Sequence, residues 1–109
     1  CKDGKENLIM QYGLKEQYID ELWGILGNIP SIEEVMLYGS RARGDYGRGS
    51  DIDICLKGAQ ITSSDVVNLK TALYESRIPY FFDVCVWDHI KNEDFRNNII
   101  RDGKVIYKH

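Results

Sequence analysis

An α/β fold with a small mixed β-sheet and flanking helices is predicted for this chain by three observations. Short apolar or alternating runs of strand length (residues 35–38, 51–54, 81–87 and 103–107) are interleaved with stretches whose apolar residues recur at helical spacing. The link from Ser40 to Asp51 is shorter than the dozen or more residues that a parallel crossover needs, so the strands it joins are expected to run antiparallel. The link between the strand of Asp53 and the strand of Asp83 has room for a whole helix, which permits parallel pairing and makes the sheet mixed.

Residues 14–28 place Tyr18, Leu22, Ile25 and Leu26 on one helical face, with Gly27-Asn28 as the stop and Pro30 as the breaker. This helix is expected to pack under the sheet. Tyr12, Ile19, Trp23 and Leu26 need not all reach one core, and Trp23 suits either core packing or a partner contact. Val35-Met36-Leu37-Tyr38 forms the first strand and Gly39 turns the chain after it. Asp51-Ile52-Asp53-Ile54 alternates with the period of a strand. Thr62-Ser63-Ser64-Asp65 offers cap oxygens to a helix carrying Val66, Leu69 and Leu73. In the run Phe81-Phe82-Asp83-Val84-Cys85-Val86-Trp87 a single acid sits among apolar neighbours, which predicts a central strand. Asp88 is expected to cap a last helix with Phe95, Ile99 and Ile100 on its inner face, ended by Gly103, after which residues 103–107 close the fold as a strand.

The chemistry is concentrated between Leu37 and Ile54. Alternation sends Asp51 and Asp53 to one face of their strand while Ile52 and Ile54 anchor the other. Two like charges a few Å apart repel by roughly 3 to 4 kcal/mol at an effective dielectric of about 20, so such a pair shifts its pKa or holds a cation. Mg²⁺ is hard, seeks oxygen and is commonly held by one or two carboxylates, with phosphates and water completing its shell. An all-oxygen site also accepts Mn²⁺. Upstream, Gly39 permits a tight turn, and Ser40 offers a hydroxyl and an amide to phosphate oxygens. A triphosphate would bridge this turn and the metal. The bland readings are a solubilising Asp-x-Asp at a strand edge, a solvated arginine loop, and Asp45 either capping the turn at Gly44 or orienting Arg43.

The pattern Gly39-Ser40-x10-Asp51-x-Asp53, within Gly39-Ser40-Arg41-Ala42-Arg43-Gly44 and Ser50-Asp51-Ile52-Asp53, resembles the signature of the DNA polymerase β-type nucleotidyltransferases, and in particular their minimal prokaryotic branch. The resemblance covers nearly the whole chain and implies a polymerase β palm-like nucleotidyltransferase fold. It implies that Asp51, Asp53 and Asp83 are the catalytic, metal-holding acids. Asp51 and Asp53 would bridge the metal on the leaving pyrophosphate, the three acids would hold a second ion, and Asp83 would accept the proton of the attacking hydroxyl. Gly39, Ser40 and Ser50 would serve the nucleotide, and Arg41, Arg43 or Arg48 the departing pyrophosphate. The resemblance further implies a small all-helical HEPN-type partner encoded nearby, whose RNase activity is blocked by transfer of AMP from ATP to one of its tyrosines, making this chain an antitoxin. Two alternatives stand beside this reading: a non-catalytic nucleotide-binding module that neutralises its partner by occlusion, and a transferase acting on a small hydroxylated amine.

Composition frames these readings. With 109 residues, 43% of them hydrophobic, the chain is expected to form one nucleotidyltransferase domain over residues 1–109, too small to carry its own template-gripping or acceptor-gripping domain. A net charge of −3 without a basic block gives little reason to bind nucleic acid alone. Three cysteines in no paired spacing suggest reduced thiols, with Cys55 and Cys85 as buried fillers. Nothing resembles a signal peptide or a membrane span, so a cytoplasmic protein is expected, and the start at Cys1 suggests an incomplete N-terminus.

Overall fold

The computed structural model describes residues 11–47 and 49–109. Helix α1 (Glu16–Gly27) leads into strand β1 (Glu34–Tyr38), the single-turn helix α2 (Ser40–Arg43), β2 (Ile52–Lys57), α3 (Ser63–Glu75), β3 (Phe82–Val86), α4 (Glu93–Asp102) and β4 (Lys104–Lys108). Short 3₁₀ turns occupy Gln11–Gly13 and Trp87–His89.

The four strands lie in the order β3-β2-β1-β4. β1 is antiparallel to both β2 and β4, and β2 is parallel to β3; the short β1–β2 link demands the first pairing and the long β2–β3 link accommodates the last. Strand alternation divides the apolar residues between two faces. Val35, Leu37, Ile52, Ile54 and Leu56 meet Leu22 and Leu26 of α1 and Leu69 and Leu73 of α3 in the larger core. Met36, Tyr38, Cys55 and Cys85 turn to the other face, where Phe95 and Ile99 of α4 cover them. Asp53 and Asp83 belong to this second face, two residues before the cysteines and beyond the reach of the apolar cover.

Three expectations need correction or refinement. β3 is an edge strand, paired with β2 alone among the described residues, so Asp83 is not in a central strand. Its apolar run arises because Phe82 and Val84 face the larger core while Cys85 faces the smaller one, which gives the sequence of a buried strand to an edge whose two faces are both covered. Asp88 lies in the 3₁₀ turn and does not cap α4; the cap is Asn92, whose Oδ1 accepts from the Phe95 N–H at 3.0 Å. Trp23 is 45% exposed and acts as a strut, its indole N–H donating to the Ile106 carbonyl at 2.9 Å and its ring set edge-on to Tyr107.

Other local expectations agree with the structure. Thr62 and Asp65 form a reciprocal capping box at the start of α3. Gly103 ends α4 where a Cβ would overlap the Ile99 carbonyl and crowd Met36 Cε. Among the described residues no helix is long and apolar enough to cross a membrane. Asn92→Ala is expected to cost about 1 kcal/mol of stability in urea denaturation. Asp88→Ala should change stability by less than about 0.5 kcal/mol.

Candidate active site

The site forms where β1 ends beside β2. Tyr38 pairs with Asp53, and the next residue, Gly39, adopts φ 76° and ψ −156°, a conformation open in practice only to glycine. A second constraint acts at the same position. A Cβ on Gly39 would overlap Asp53 Oδ2 and lie 3.2 Å from Asp53 Cγ, so only a bare backbone can pass so close to the carboxyl group. The one-turn helix α2 follows directly, and the amides that open it have no partner within the turn.

Asp51 is exposed just before β2, Asp53 is half-buried within it, and Asp83 is exposed on β3 at the position registered with Asp53. Burial pushes the Asp53 carboxyl above its ordinary value of 3.8, the charges of Asp83 and Asp51 push it further, and the Arg43 guanidinium draws it back in part. The three sequence-predicted acids therefore share one electrostatic neighbourhood. Tyr38 lies on the same face, 3.6 Å from Cys85 Sγ, and burial together with Cys85, Asp83 and Asp53 raises its phenol so that it stays neutral.

The remaining candidates separate. Arg43 is exposed at the acids, its Nε donating to Asp45 Oδ2 at 3.1 Å and its Nη1 to Asp102 Oδ2 at 3.5 Å. Asp45 thus orients Arg43. Arg41 is 2% exposed and turned inward: Nε and Nη2 donate to the Ser50 carbonyl at 3.0 and 2.8 Å, and Nη1 donates to the Tyr12 carbonyl at 2.7 Å. Its guanidinium also stacks on the rings of Tyr80 and Tyr46, at 4.5 and 5.2 Å from their centroids. Arg41 is accordingly a pin for the loop before Asp51, and its donors face carbonyls where the sequence suggested phosphate. Ser50 has a matching role, since its Oγ accepts from the Gly47 N–H at 2.8 Å and its carbonyl holds Arg41. Ser40 stands at the start of α2, half-buried. Arg48 lies outside the described residues.

Sequence reasoning missed Tyr38 and the aromatic clamp of Tyr46 and Tyr80 on Arg41. The period-two pattern from Met36 to Tyr38 places Tyr38 on the acid face, whereas the clamp joins Arg41 and nearby Tyr46 to Tyr80, far along the chain.

The donor set suits a hard divalent cation: it is all carboxylate oxygen, and a cation would offset both the burial and the like-charge repulsion that raise Asp53. Among the described residues no three His, Cys, Asp or Glu side chains are already assembled around a metal position. Two carboxylates suffice for an ion whose shell is completed by phosphate and water.

The model of the family described as Polymerase beta, Nucleotidyltransferase matches residues 20–109. A candidate protein adenylyltransferase of Methanocaldococcus jannaschii is 31% identical over 80 residues, which cover 70% of this chain and 79% of that protein. Among solved structures, a chain of a toxin–antitoxin complex with AMP-PNP superposes with a TM-score of 0.68 at 20% identity, covering 84% of this chain and 73% of that one. A tri-AMPylated HEPN toxin of Shewanella oneidensis in complex with its MNT antitoxin contains a chain that matches with a TM-score of 0.61 at 18% identity, over 84% of this chain and 70% of that one. The two structural likenesses establish the fold.

Arg41→Met should lower stability by about 2–4 kcal/mol, because the Ser50 and Tyr12 carbonyls lose a charged fork. Arg43→Gln should alter it by less than about 1 kcal/mol, as expected for an exposed pair. Thermal melts of both variants measure the contrast. For Asp53, a folded-state pKa above the unfolded one means that the folded state binds the proton more tightly. Its contribution to stability is therefore greatest below the ordinary carboxylate range and falls as pH rises through the raised value. Asp53→Asn should remove this pH dependence and raise the melting temperature of the metal-free protein at pH 7.

Proposed function

We propose that this chain, which belongs to the polymerase β nucleotidyltransferase family and is a nucleotidyltransferase, transfers AMP from ATP to a tyrosine hydroxyl of a small HEPN-type partner encoded by a neighbouring gene and so acts in the cytoplasm as that partner's antitoxin. One observation carries the reading. Asp53 is half-buried against the Gly39 turn under the charges of Asp83 and Asp51, an arrangement that costs stability and has a use where a phosphate chain must meet a cation. Support for the nucleotide and the partner comes from the likeness to the toxin–antitoxin chain with AMP-PNP and to the complex of the AMPylated HEPN toxin. The adenylyl group is supported by the Methanocaldococcus relative.

The chain's own groups divide the work. The Gly39–Ser40 turn brings backbone amides to the outer phosphates, with no side chain between them and the carboxylates. Arg43, held by Asp45 and Asp102, balances charge on the pyrophosphate as it leaves. Asp83, exposed on the outermost strand, accepts the tyrosine proton while the phenolic oxygen bonds to the α-phosphorus and the bond to pyrophosphate breaks. Mg²⁺ or Mn²⁺ would be held by Asp51, Asp53 and Asp83, and would supply charge neutralisation on the triphosphate and acidify the attacking hydroxyl. Arg41 and Ser50 act indirectly, by fixing the loop that delivers Asp51.

Intact mass spectrometry of the chain and its HEPN-type partner, incubated with Mg²⁺ and each nucleoside triphosphate in turn, tests the proposal. An AMP-sized increment on the partner with ATP, reduced at least about a thousandfold in rate by Asp53→Asn, is expected. A tight complex without any added nucleotide would overturn the catalytic reading.

A further inference from the structure

The two open edges of the sheet are finished differently. β4 carries Lys104 and Lys108 at its ends, and the register shift opposite Val35 and Met36 leaves Ile106 unpaired in the ladder, where its carbonyl is taken by the Trp23 indole. Lysines, a bulge and a covering side chain are the usual devices that prevent an edge from recruiting another strand. Among the described residues β3 has none of them. Its single charged residue is Asp83 itself. The Phe81 carbonyl accepts from the Ile52 N–H at 2.9 Å, and by the alternation of a parallel ladder the amides and carbonyls of Phe82 and Val84 then face away from β2.

The surroundings of this edge are apolar and aromatic. A hollow of about 370 Å³ beside it is lined by Lys70, Tyr74, Pro79, Phe81 and Asp83, among others. Tyr74 is 87% exposed and Phe81 77% exposed, the two largest exposures among the big apolar side chains of the described residues. A second hollow of about 450 Å³ continues along the same edge at Val67, Val84 and His89. One end of this surface is thus an acid of the candidate site, and along its length the outward main-chain groups of Phe82 and Val84 have no strand partner among the described residues.

We infer that the open edge of β3 is the acceptor-docking surface, on which an extended segment of the acceptor protein pairs with the main chain of Phe82 and Val84, anchors on Phe81 and Tyr74, and thereby presents its hydroxyl to Asp83. This rests on the transfer reaction proposed above and adds to it the face from which the acceptor enters. An extended main chain matches the unpaired groups of an edge strand, and aromatic pockets supply the side-chain selection. A second copy of this chain seated on the same edge would cover Asp83 and block the reaction.

Residue-resolved hydrogen exchange by NMR on the chain, alone and with its HEPN-type partner, tests the surface together with the kinetics of AMP transfer. The Phe82 and Val84 amides should slow at least tenfold on complex formation, with no comparable change along β4. The Tyr74→Glu, Phe81→Glu double variant should raise the KM for the partner at least tenfold, leaving kcat and AMP-PNP affinity within twofold. Unchanged exchange at Phe82 and Val84 in a complex that still transfers AMP would overturn the docking surface alone. Concentration-dependent protection in the free chain would overturn it too, assigning the edge to a second copy. Absence of transfer by the wild-type chain would overturn the reaction, with the exchange data judging the surface independently.

Discussion

The contact on which the rest of this structure depends is that between the Gly39 backbone and the Asp53 carboxyl group. It exists because β1 and β2 are antiparallel neighbours with Tyr38 opposite Asp53, which brings the end of one strand against the start of the other. At that point a side chain is excluded twice, by the positive φ of Gly39 and by the space that Asp53 fills. Any larger residue would displace the acid, the turn, or both. The Gly39 turn and a cluster of carboxylate oxygens are thereby fixed relative to each other by main-chain geometry and a single ladder, with no long side chain needed to bridge them.

The surrounding elements serve this contact in different ways. The larger core, built by α1 and α3 on one face, sets the register of β2 through Ile52, Ile54 and Leu56, so Asp53 has no freedom to slip to the other face. The smaller core beneath α4 contains Tyr38, Cys55 and Cys85, on the sheet face that Asp53 and Asp83 share. Arg41 gathers the Tyr12 and Ser50 carbonyls and two tyrosine rings into one buried knot, so the loop that carries Asp51 is held from inside. The fold spends a buried arginine on positioning and keeps an exposed one, Arg43, beside the charge cluster.

Much of this was legible in the residues. The short connection from Ser40 to Asp51 pointed to an antiparallel pair, because chain reach is a hard limit, and the long one through α3 left room for a parallel pair. Period two assigned Asp53 and Cys55 to one face, and the Thr62 cap was recoverable from its local pattern. What escaped was decided by distant parts of the chain. Periodicity cannot tell a central strand from an edge strand whose faces are both covered, so Asp83 was expected inside the sheet. Nor does a loop arginine declare which way it turns; Arg41 turns inward because Tyr12, Tyr46 and Tyr80 converge on it. The displaced cap was a local ambiguity between Asp88 and Asn92, resolved by the 3₁₀ turn that uses up the first of them.

In the proposed reaction, phosphate and cation meet between the Gly39 turn and the carboxylates of Asp51 and Asp53. A crystal structure of the chain with AMP-PNP and Mn²⁺, with diffraction recorded to locate manganese by its anomalous scattering, tests it most directly. A manganese peak is expected on the Asp51 and Asp53 oxygens, with the triphosphate against the amides of Gly39 and Ser40. Nucleotide and manganese bound at any other part of the fold, with these carboxylates left uncoordinated, would contradict it.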